Sequence, residues 1–498
     1  MTSESHPDGG DGWARLDPRM LAVAPAQEVV KFIPLLVVAL LAGNSDNRHW
    51  WVLGALGGVI AIGVLRWLTT RYRITTERIE VRSGLLFRQH RSVPRDRVRT
   101  VDVTAKPLHR AFGLSVLQVG TGQHEPGKDG ELTLNAVSSA ESERLRATLL
   151  DRSAASPSAP GSALGSATAD LPGTSELARI SWAWLRFAPL TLLGVAAIGA
   201  LFGGAWQVFG EIGVDVDDAG AVRGLVDWFT DRSIGLVIVA AVGFLLVAGS
   251  LGALALYVEA WWGYRLTRQP DGTLRVNRGL LTRRSVSLEE RRLRGVEVVE
   301  PLLLRAGRGA RCSAVATGSG SGDRASLLPP APRADAHRVA AAVLREDTPP
   351  STAPLRRHPA AALRRRLVRT VVPAAVVVAA LAVADGTNAL PTWPWVTAAA
   401  VLGPAAVLLG VDRYRSLGHA VLDEYLVVRS GSLLRRTVAL RRSGIIGWRV
   451  SQSVFQRASD LATATAITAA GAGAYDLLDI ELDRAMDLGE RLAVHNDR

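Results

Sequence analysis

The sequence predicts a mixed membrane α and cytoplasmic β architecture: three transmembrane helical hairpins, each followed by a small β-barrel capped by a C-terminal helix. Three observations predict it. Six apolar stretches fall into three pairs, tryptophans gather at the ends of those stretches, and one residue pattern recurs three times in a single register. Composition agrees, because 48% of the 498 residues are apolar and 21% are charged, with a mean hydropathy of +0.17. Such values coexist only where apolar and charged residues are segregated, which excludes both a uniform soluble globule and a chain that is nearly all membrane.

The apolar stretches are 32–42, 50–68, 187–209, 233–258, 367–384 and 391–411. A hydrocarbon core of about 30 Å needs about 20 helical residues. The second, third, fourth and sixth stretches nearly reach that length unaided. The first needs Val29 and Val30 with Lys31 snorkelling from its end, and the fifth needs Arg369 to do the same. Trp50, Trp51, Trp67, Trp182, Trp184, Trp206, Trp228, Trp261, Trp262, Trp393 and Trp395 all lie at or near stretch ends, where an indole meets both apolar chains and polar headgroups. Linkers within each pair are poor in arginine. The outer flanks carry Arg66, Arg71, Arg73, Arg179, Arg186, Arg356, Arg357, Arg364, Arg365, Arg366, Arg413 and Arg415. The positive-inside bias places both termini and every long polar segment in the cytoplasm, making this a multi-pass protein of a cytoplasmic membrane. The acidic, polar start of the chain lacks the pattern of a cleaved signal.

Basic residues exceed acidic ones by 58 to 46, a net charge of +12, and lysine occurs only at Lys31, Lys106 and Lys128. A chain rich in Ala, Gly and Arg suits a GC-rich bacterial genome. The single cysteine, Cys312, excludes an internal disulfide framework and a cysteine-based zinc site.

Each helical pair leads into a polar segment of similar pattern that begins Tyr-Arg, at Tyr72, Tyr264 and Tyr414. A strand–turn–strand follows: Glu80-Val-Arg-Ser-Gly84-Leu-Leu-Phe-Arg88, Arg275-Val-Asn-Arg-Gly279-Leu-Leu-Thr-Arg283 and Val428-Arg-Ser-Gly431-Ser-Leu-Leu-Arg435. Counting from the glycine, arginine recurs at +4 (Arg88, Arg283, Arg435) and +26 (Arg110, Arg305, Arg457). Apolar residues recur at +9, +14, +17, +19 and +24, among them Val101, Val296 and Trp448 at +17. This shared register marks an internal triplication.

Alternation over 73–82 predicts one half-buried strand, and Ser83-Gly84 a hairpin corner. Further strands are expected at 98–103, 115–121 and 131–136, and closing helices at 139–150, 335–345 and 482–495. Short antiparallel strands with one terminal helix describe a small barrel or a two-sheet sandwich. The organisation expected is a polar tail (1–28), hairpin 1 (29–69), β domain 1 (70–151), a flexible linker (152–178), hairpin 2 (179–261), β domain 2 (262–346), a basic linker (347–366), hairpin 3 (367–411) and β domain 3 (412–498).

A helical hairpin followed by Tyr-Arg and then Val-x-x-Gly-Leu-Leu-x-Arg resembles the bacterial pleckstrin-homology-like membrane proteins, and three such units resemble the larger, YdbT-like members. The best match is repeat one, through Lys106-Pro-Leu-His-Arg-Ala-Phe-Gly113-Leu. Where repeat one has Leu114, repeat two departs with Gly309 and repeat three has Leu461, while repeat three departs with Asp460 for Gly113. The resemblance implies a seven-stranded barrel with a C-terminal helix, cytoplasmic placement, and a smaller single-domain membrane partner. It implies no catalysis and no cofactor.

The residues themselves offer little chemistry. No phosphate loop, H-E-x-x-H or G-x-S-x-G motif occurs. Cys312 lies in an apolar strand pattern and reads as a core thiol. Arginines are the functional lead: Arg82, Arg88, Arg91, Arg95, Arg97, Arg99 and Arg110 crowd repeat one. Beside an anionic leaflet each basic residue gains about 1 kcal/mol. The function expected is a non-enzymatic envelope scaffold whose β domains bind protein partners or acidic lipid headgroups. The plainer reading of these arginines is solvated strand faces with positive-inside bias. Nucleic acid is not expected, because the repeats lack a stacking platform of aromatics. The rival function is a transporter or permease component, for export of or resistance to an antimicrobial compound; a polar cavity between hairpins would favour it, a tight Gly/Ala interface the scaffold.

Overall fold

The computed structural model describes residues 13–15, 17–20, 23, 57–58, 64, 68–75, 77–83, 89–94, 98, 100–120, 131–150, 173–191, 199, 234–318, 325–387 and 392–496. The chain divides into two compact units, Met1–Glu290 and Arg291–Arg498. The boundary falls inside repeat two.

In the first unit, β1 (Ala14–Arg15), β2 (Arg71–Ile74), β3 (Arg78–Ser83) and β4 (Gln89–Pro94) form an antiparallel sheet in that order. The single strand expected over 73–82 is therefore a hairpin, with Ile74 opposite Ile79. Thr75 makes the reversal: its hydroxyl accepts from the Arg78 N–H and donates to the Arg78 carbonyl, both at 3.0 Å. No glycine or proline marks this turn, and alternation runs through both arms, so periodicity alone could not separate them.

The chain continues with β5 (Thr100–Ala105), α1 (Pro107–Ala111), β6 (Leu114–Gly120), β7 (Glu131–Ser138) and α2 (Ser139–Leu150). It then supplies β8 (Ser175–Arg179), α3 (Ile234–Trp261), β9 (Arg265–Arg268), β10 (Thr273–Arg278) and β11 (Arg283–Glu289). The second sheet has seven strands in the order β7-β6-β5-β11-β10-β9-β8. Its centre is a seam between β5 of repeat one and β11 of repeat two. Ile79 and Val81 from β3 pack with Val101, Leu117, Val119, Leu134 and Val137 from β5–β7 and with Leu145 of α2. Fully burying one such side chain contributes about 1.5–3 kcal/mol, which holds the two sheets face to face.

The second unit repeats the plan. Its strands and helices are β12 (Leu293–Pro301), α4 (Leu302–Ala306), β13 (Gly309–Ala316), β14 (Ser326–Pro332), α5 (Arg333–Leu344), α6 (Ala360–Gly386), α7 (Trp393–Arg415), β15 (Gly418–Val421), β16 (Tyr425–Ser430), β17 (Leu434–Arg441), β18 (Ile445–Ser451), α8 (Val454–Arg457), β19 (Leu461–Thr468), β20 (Ala474–Glu481) and α9 (Leu482–Asn496). One sheet runs β14-β13-β12-β17-β16-β15 and the other β18-β19-β20. Again a seam, β12 with β17, joins consecutive repeats. Leu426, Val428, Val438, Leu440, Ala464, Leu477, Ile480 and Leu488 form the core of repeat three.

The expected barrels are thus corrected. Among the described residues no sheet closes on itself; instead β5 pairs with β11 and β12 with β17 of the neighbouring repeat. The register, by contrast, is kept throughout. The +17 residue lies opposite the +35 residue in all three copies: Val101 with Val119, Val296 with Ala314, and Trp448 with Ala466. The turn glycines are required by their backbone. Gly279 and Gly431 have φ of +106° and +94°, and a Cβ there would stand 2.0 and 2.1 Å from the Thr282 and Leu434 carbonyl oxygens.

A second shared backbone feature absorbs the departures noted for repeats two and three. Gly113, Arg308 and Asp460 occupy one position, and all are left-handed, at φ of 68°, 59° and 51°. Their carbonyls accept from Ser139, Arg333 and Leu482, the first residues of α2, α5 and α9. Arginine is strained in this region where glycine is not. Arg308→Gly is expected to stabilise the protein by about 0.5–1 kcal/mol, read as a higher denaturation midpoint in detergent.

Of the membrane expectations, α6 and α7 are, among the described residues, long and apolar enough to cross a bilayer, and little of either is buried. They form one hairpin. They start or end a few residues beyond the stretches expected, so that Arg364, Arg365 and Arg366 lie inside α6. The helix α3 is 28 residues long and covers nearly all of the fourth stretch expected, 233–258, but its expected partner 187–209 is described only at 187–191 and 199. The described residues therefore do not contain three hairpins. Most of the first pair and of the stretch 187–209, and any Gly/Ala interface of those segments, lies outside them. The close helix approach is instead at Gly410, where a Cβ would meet Thr370 Oγ1 at 2.7 Å and Leu367 Cδ2 at 2.9 Å.

Candidate functional site

The arginines singled out from sequence meet different fates. Arg88, Arg95, Arg97 and Arg99 lie outside the described residues. Arg82 is exposed on β3, with its guanidinium 4.3 Å from the centre of the Trp13 ring and its Nε donating to His90 Nδ1 at 3.3 Å. Arg73, which pairs with Glu80, lies 5.3 Å from the same ring. Two cations on one indole account for one of the two tryptophans that sit at no apolar stretch end. Arg91 is half-buried on β4.

Arg110 is not a free headgroup ligand. It lies in the last turn of α1 at the chain's own seam, where its Nη1 donates to the Leu280 carbonyl at 2.6 Å. The next copy does the same: Arg305 donates to the Ser432 carbonyl at 3.4 Å and to Asp412 at 2.8 Å. Leu280 and Ser432 both immediately follow the turn glycine. The recurrent +26 arginine therefore ties each repeat to the turn of its successor. Arg435, a +4 arginine, pairs at 2.7 Å with Glu300, which is 2% exposed and also lies 3.2 Å from Arg333.

A further pair of positions, missed in the sequence, makes the seams ionic. The acid at +18 meets the arginine at +5 of the next repeat: Asp102 with Arg284 at 2.6 Å, and Glu297 with Arg436 at 3.3 Å. Burial pushes the Glu297 carboxyl up, and Arg436 opposes that shift. Asp102 is 2% exposed, so removing its partner would strand a buried charge. The signal was legible as an acid and an arginine recurring in register, but only copies one and two carry the acid, and only copies two and three the arginine.

A third cluster fixes the base of α6. Asp479 on β20 is fully buried and pairs with Arg365 and with Arg366, the latter at 2.6 Å. Gln456 Nε2 donates to Asp479 Oδ1 at 3.0 Å. His358 Nδ1 lies 3.1 Å from the Asp479 carbonyl oxygen, which can only accept, so that nitrogen carries the proton. The other ring nitrogen then accepts from His419 Nδ1 at 3.3 Å. Burial lowers both histidines to about 4, so the chain is neutral and ordered at pH 7. Tyr414 of α7 donates to the His358 carbonyl at 2.8 Å. Both helices of the hairpin are thereby bonded to repeat three.

Comparison with known proteins adds to this geometry. The bacterial PH domain profile matches three segments, 23–153, 213–347 and 368–493, each containing one repeat. The chain belongs to the bacterial PH domain family. It is 22% identical over 449 residues to the UPF0699 transmembrane protein YdbT of Bacillus subtilis (strain 168), covering 86% of each chain. No solved structure matches it.

In repeats one and two the +26 arginine is thus engaged by the turn of the next repeat. Cys312 is buried, and its thiol is pushed up to about 12 by desolvation, as a core position implies. Among the described residues no three His, Cys, Asp or Glu side chains group as a metal site. Exposed cations do gather at one place. Arg357, Arg364 and Arg369 flank the start of α6, where the apolar hairpin begins.

Proposed function

We propose that this PH-repeat protein is a non-enzymatic, multi-pass scaffold of the bacterial cytoplasmic membrane, with its PH repeats in the cytoplasm and binding acidic lipid headgroups and protein partners. The three-hairpin topology and inward orientation rest on the paired apolar stretches and the arginine-rich outer flanks. The observation that carries the reading is the division of labour among arginines. Arg110, Arg284, Arg305, Arg435 and Arg436 are engaged at the seams, and Arg365 and Arg366 by Asp479, while Arg357, Arg364 and Arg369 stay exposed at the start of the apolar hairpin. The tight contact of Gly410 with Leu367 and Thr370 supports a scaffold over a transporter with a polar cavity.

The test is reconstitution in nanodiscs of mixed neutral and anionic lipid, followed by mass spectrometry of the retained lipid. At about 1 kcal/mol per cation, replacing Arg357, Arg364 and Arg369 with glutamine is expected to cut anionic-lipid enrichment by about tenfold or more. Unchanged enrichment would sink the headgroup reading.

A further inference from the structure

The seams inside the chain define what a free edge of this fold accepts. In both, residue +19 of one repeat lies opposite residue +6 of the next: Val103 with Ser285, and Val298 with Thr437. In both, the +18 residue is an acid, the facing +7 residue is valine (Val286, Val438), and the +5 residue is the arginine that pairs with the acid. The strand that does this in repeat three is β18. It is the end strand of its sheet, and among the described residues no strand covers its outer side.

At +18 the strand carries Arg449, a reversal of charge from Asp102 and Glu297. Arg449 is exposed and has no partner among the described residues. Ile446 on the same strand is 65% exposed, and Arg457, the +26 arginine that binds the following turn in the other two copies, is exposed as well. An edge that only had to be protected would need the charge alone. This one adds an exposed isoleucine where the other two copies carry Arg99 and Arg294, and it retains the turn-binding arginine of a seam.

We propose that β18 is a docking edge for an antiparallel strand of a different protein chain, one that presents a carboxylate where the internal seams present arginine. The strand would add to the sheet through main-chain hydrogen bonds, with the salt bridge of the seam inverted to select the partner. A second copy of this chain does not fit. Its matching strand, β4, would place Arg91 directly opposite Arg449 and Gln89 at the +5 position. Like charges directly opposed across a strand pair are destabilising. The inference rests on the protein-partner half of the scaffold reading and is independent of the lipid half.

The probe is the full-length chain itself, re-edged to carry the proposed chemistry. A copy with Gln89→Glu, Arg91→Val and His90→Cys is mixed in detergent with a second carrying Val450→Cys, and mild oxidation traps the pair. Cys312, being buried, stays out of the reaction. The expected result is a disulfide-linked dimer that falls about tenfold when the acceptor also carries Arg449→Glu. It should recover when that acceptor meets a copy with Gln89→Arg in place of Gln89→Glu. Folding of each variant is checked by its elution and helicity. Absence of the dimer with folded variants would overturn the docking edge and leave the lipid reading intact. An equally abundant dimer with His90→Cys alone would overturn the requirement for a carboxylate and assign the edge to self-assembly.

Discussion

Asp479→Asn is expected to loosen the membrane hairpin from repeat three, at a cost of about 3–5 kcal/mol. The argument begins with the backbone. Asp479 has φ of 59°, a left-handed conformation that asparagine tolerates as well as aspartate, so the exchange leaves the main chain alone. The amide can still accept from Gln456, and the His358 hydrogen bond goes to the main-chain carbonyl, which is unchanged. What disappears is one negative charge facing two guanidinium groups, of which Arg366 is only 6% exposed. A buried cation without a counter-charge must rehydrate, and the base of α6 has to open to let it. Hydrogen exchange should therefore accelerate at 360–366 and 474–481 while the core of β16 and β17 stays protected. Unaltered exchange at the helix base would show that Arg365 and Arg366 are held by something other than this carboxylate. Arg364, exposed on the same turn, serves as the control, because Arg364→Gln removes a cation of equal charge with little change in exchange.

The same residues show what the sequence could and could not disclose. Local pattern placed α2 and α9 nearly to the residue, since a polar-to-apolar change and a helix start are properties of neighbouring positions. The glycine register, which placed the turns at Gly279 and Gly431, is kept in the pairing of +17 with +35 in all three copies. It did not reveal where the sheets join. Counting within a repeat treats each copy as a closed object, and the seams are pairings between copies, some 170–180 residues apart in the case of Arg110 with Leu280 and Arg284 with Asp102. For that reason Arg110 read as a solvent-facing cation, and Arg365 and Arg366 as topological flank charges. Each has a partner remote in sequence, Arg110 in the turn after Gly279, and Arg365 and Arg366 on β20. The two tryptophans at no apolar stretch end, Trp13 and Trp448, carried a hint. Both are folded into the β structure, Trp13 under Arg82 and Trp448 with its Nε1 donating to the Ala485 carbonyl of α9.

Acidification from pH 6.5 to 4 is expected to destabilise Arg291–Arg498 far more than loss of surface ion pairs would. His337, His358 and His419 are all buried there, and desolvation lowers each to about 4. Unfolding returns them to the ordinary value near 6.5, so the unfolded chain binds more protons throughout that interval and stability falls as pH falls through it. Above pH 6.5 the contribution is fully present; below pH 4 the loss is complete. His337 alone accounts for about 3 kcal/mol, and the coupled His358–His419 pair adds to it in the same direction. The structural reason is the hydrogen-bond sense. His358 donates through Nδ1 and accepts through Nε2, so a proton on Nε2 turns its only acceptor into a donor and expels His419. His337 is placed alike, with Arg333 Nε 3.3 Å from its Nε2 and Ser351 2.8 Å from its Nδ1. Denaturant midpoints between pH 8 and 4.5 measure the effect. His337→Gln and His358→Asn lower stability at pH 8, because a hydrogen bond is lost in each, yet both should flatten the dependence on pH. A wild-type midpoint that holds steady to pH 4.5 would mean that these rings reach solvent before they are protonated. In that case the His358–His419 chain would be a surface feature and not the bolt between α6 and repeat three.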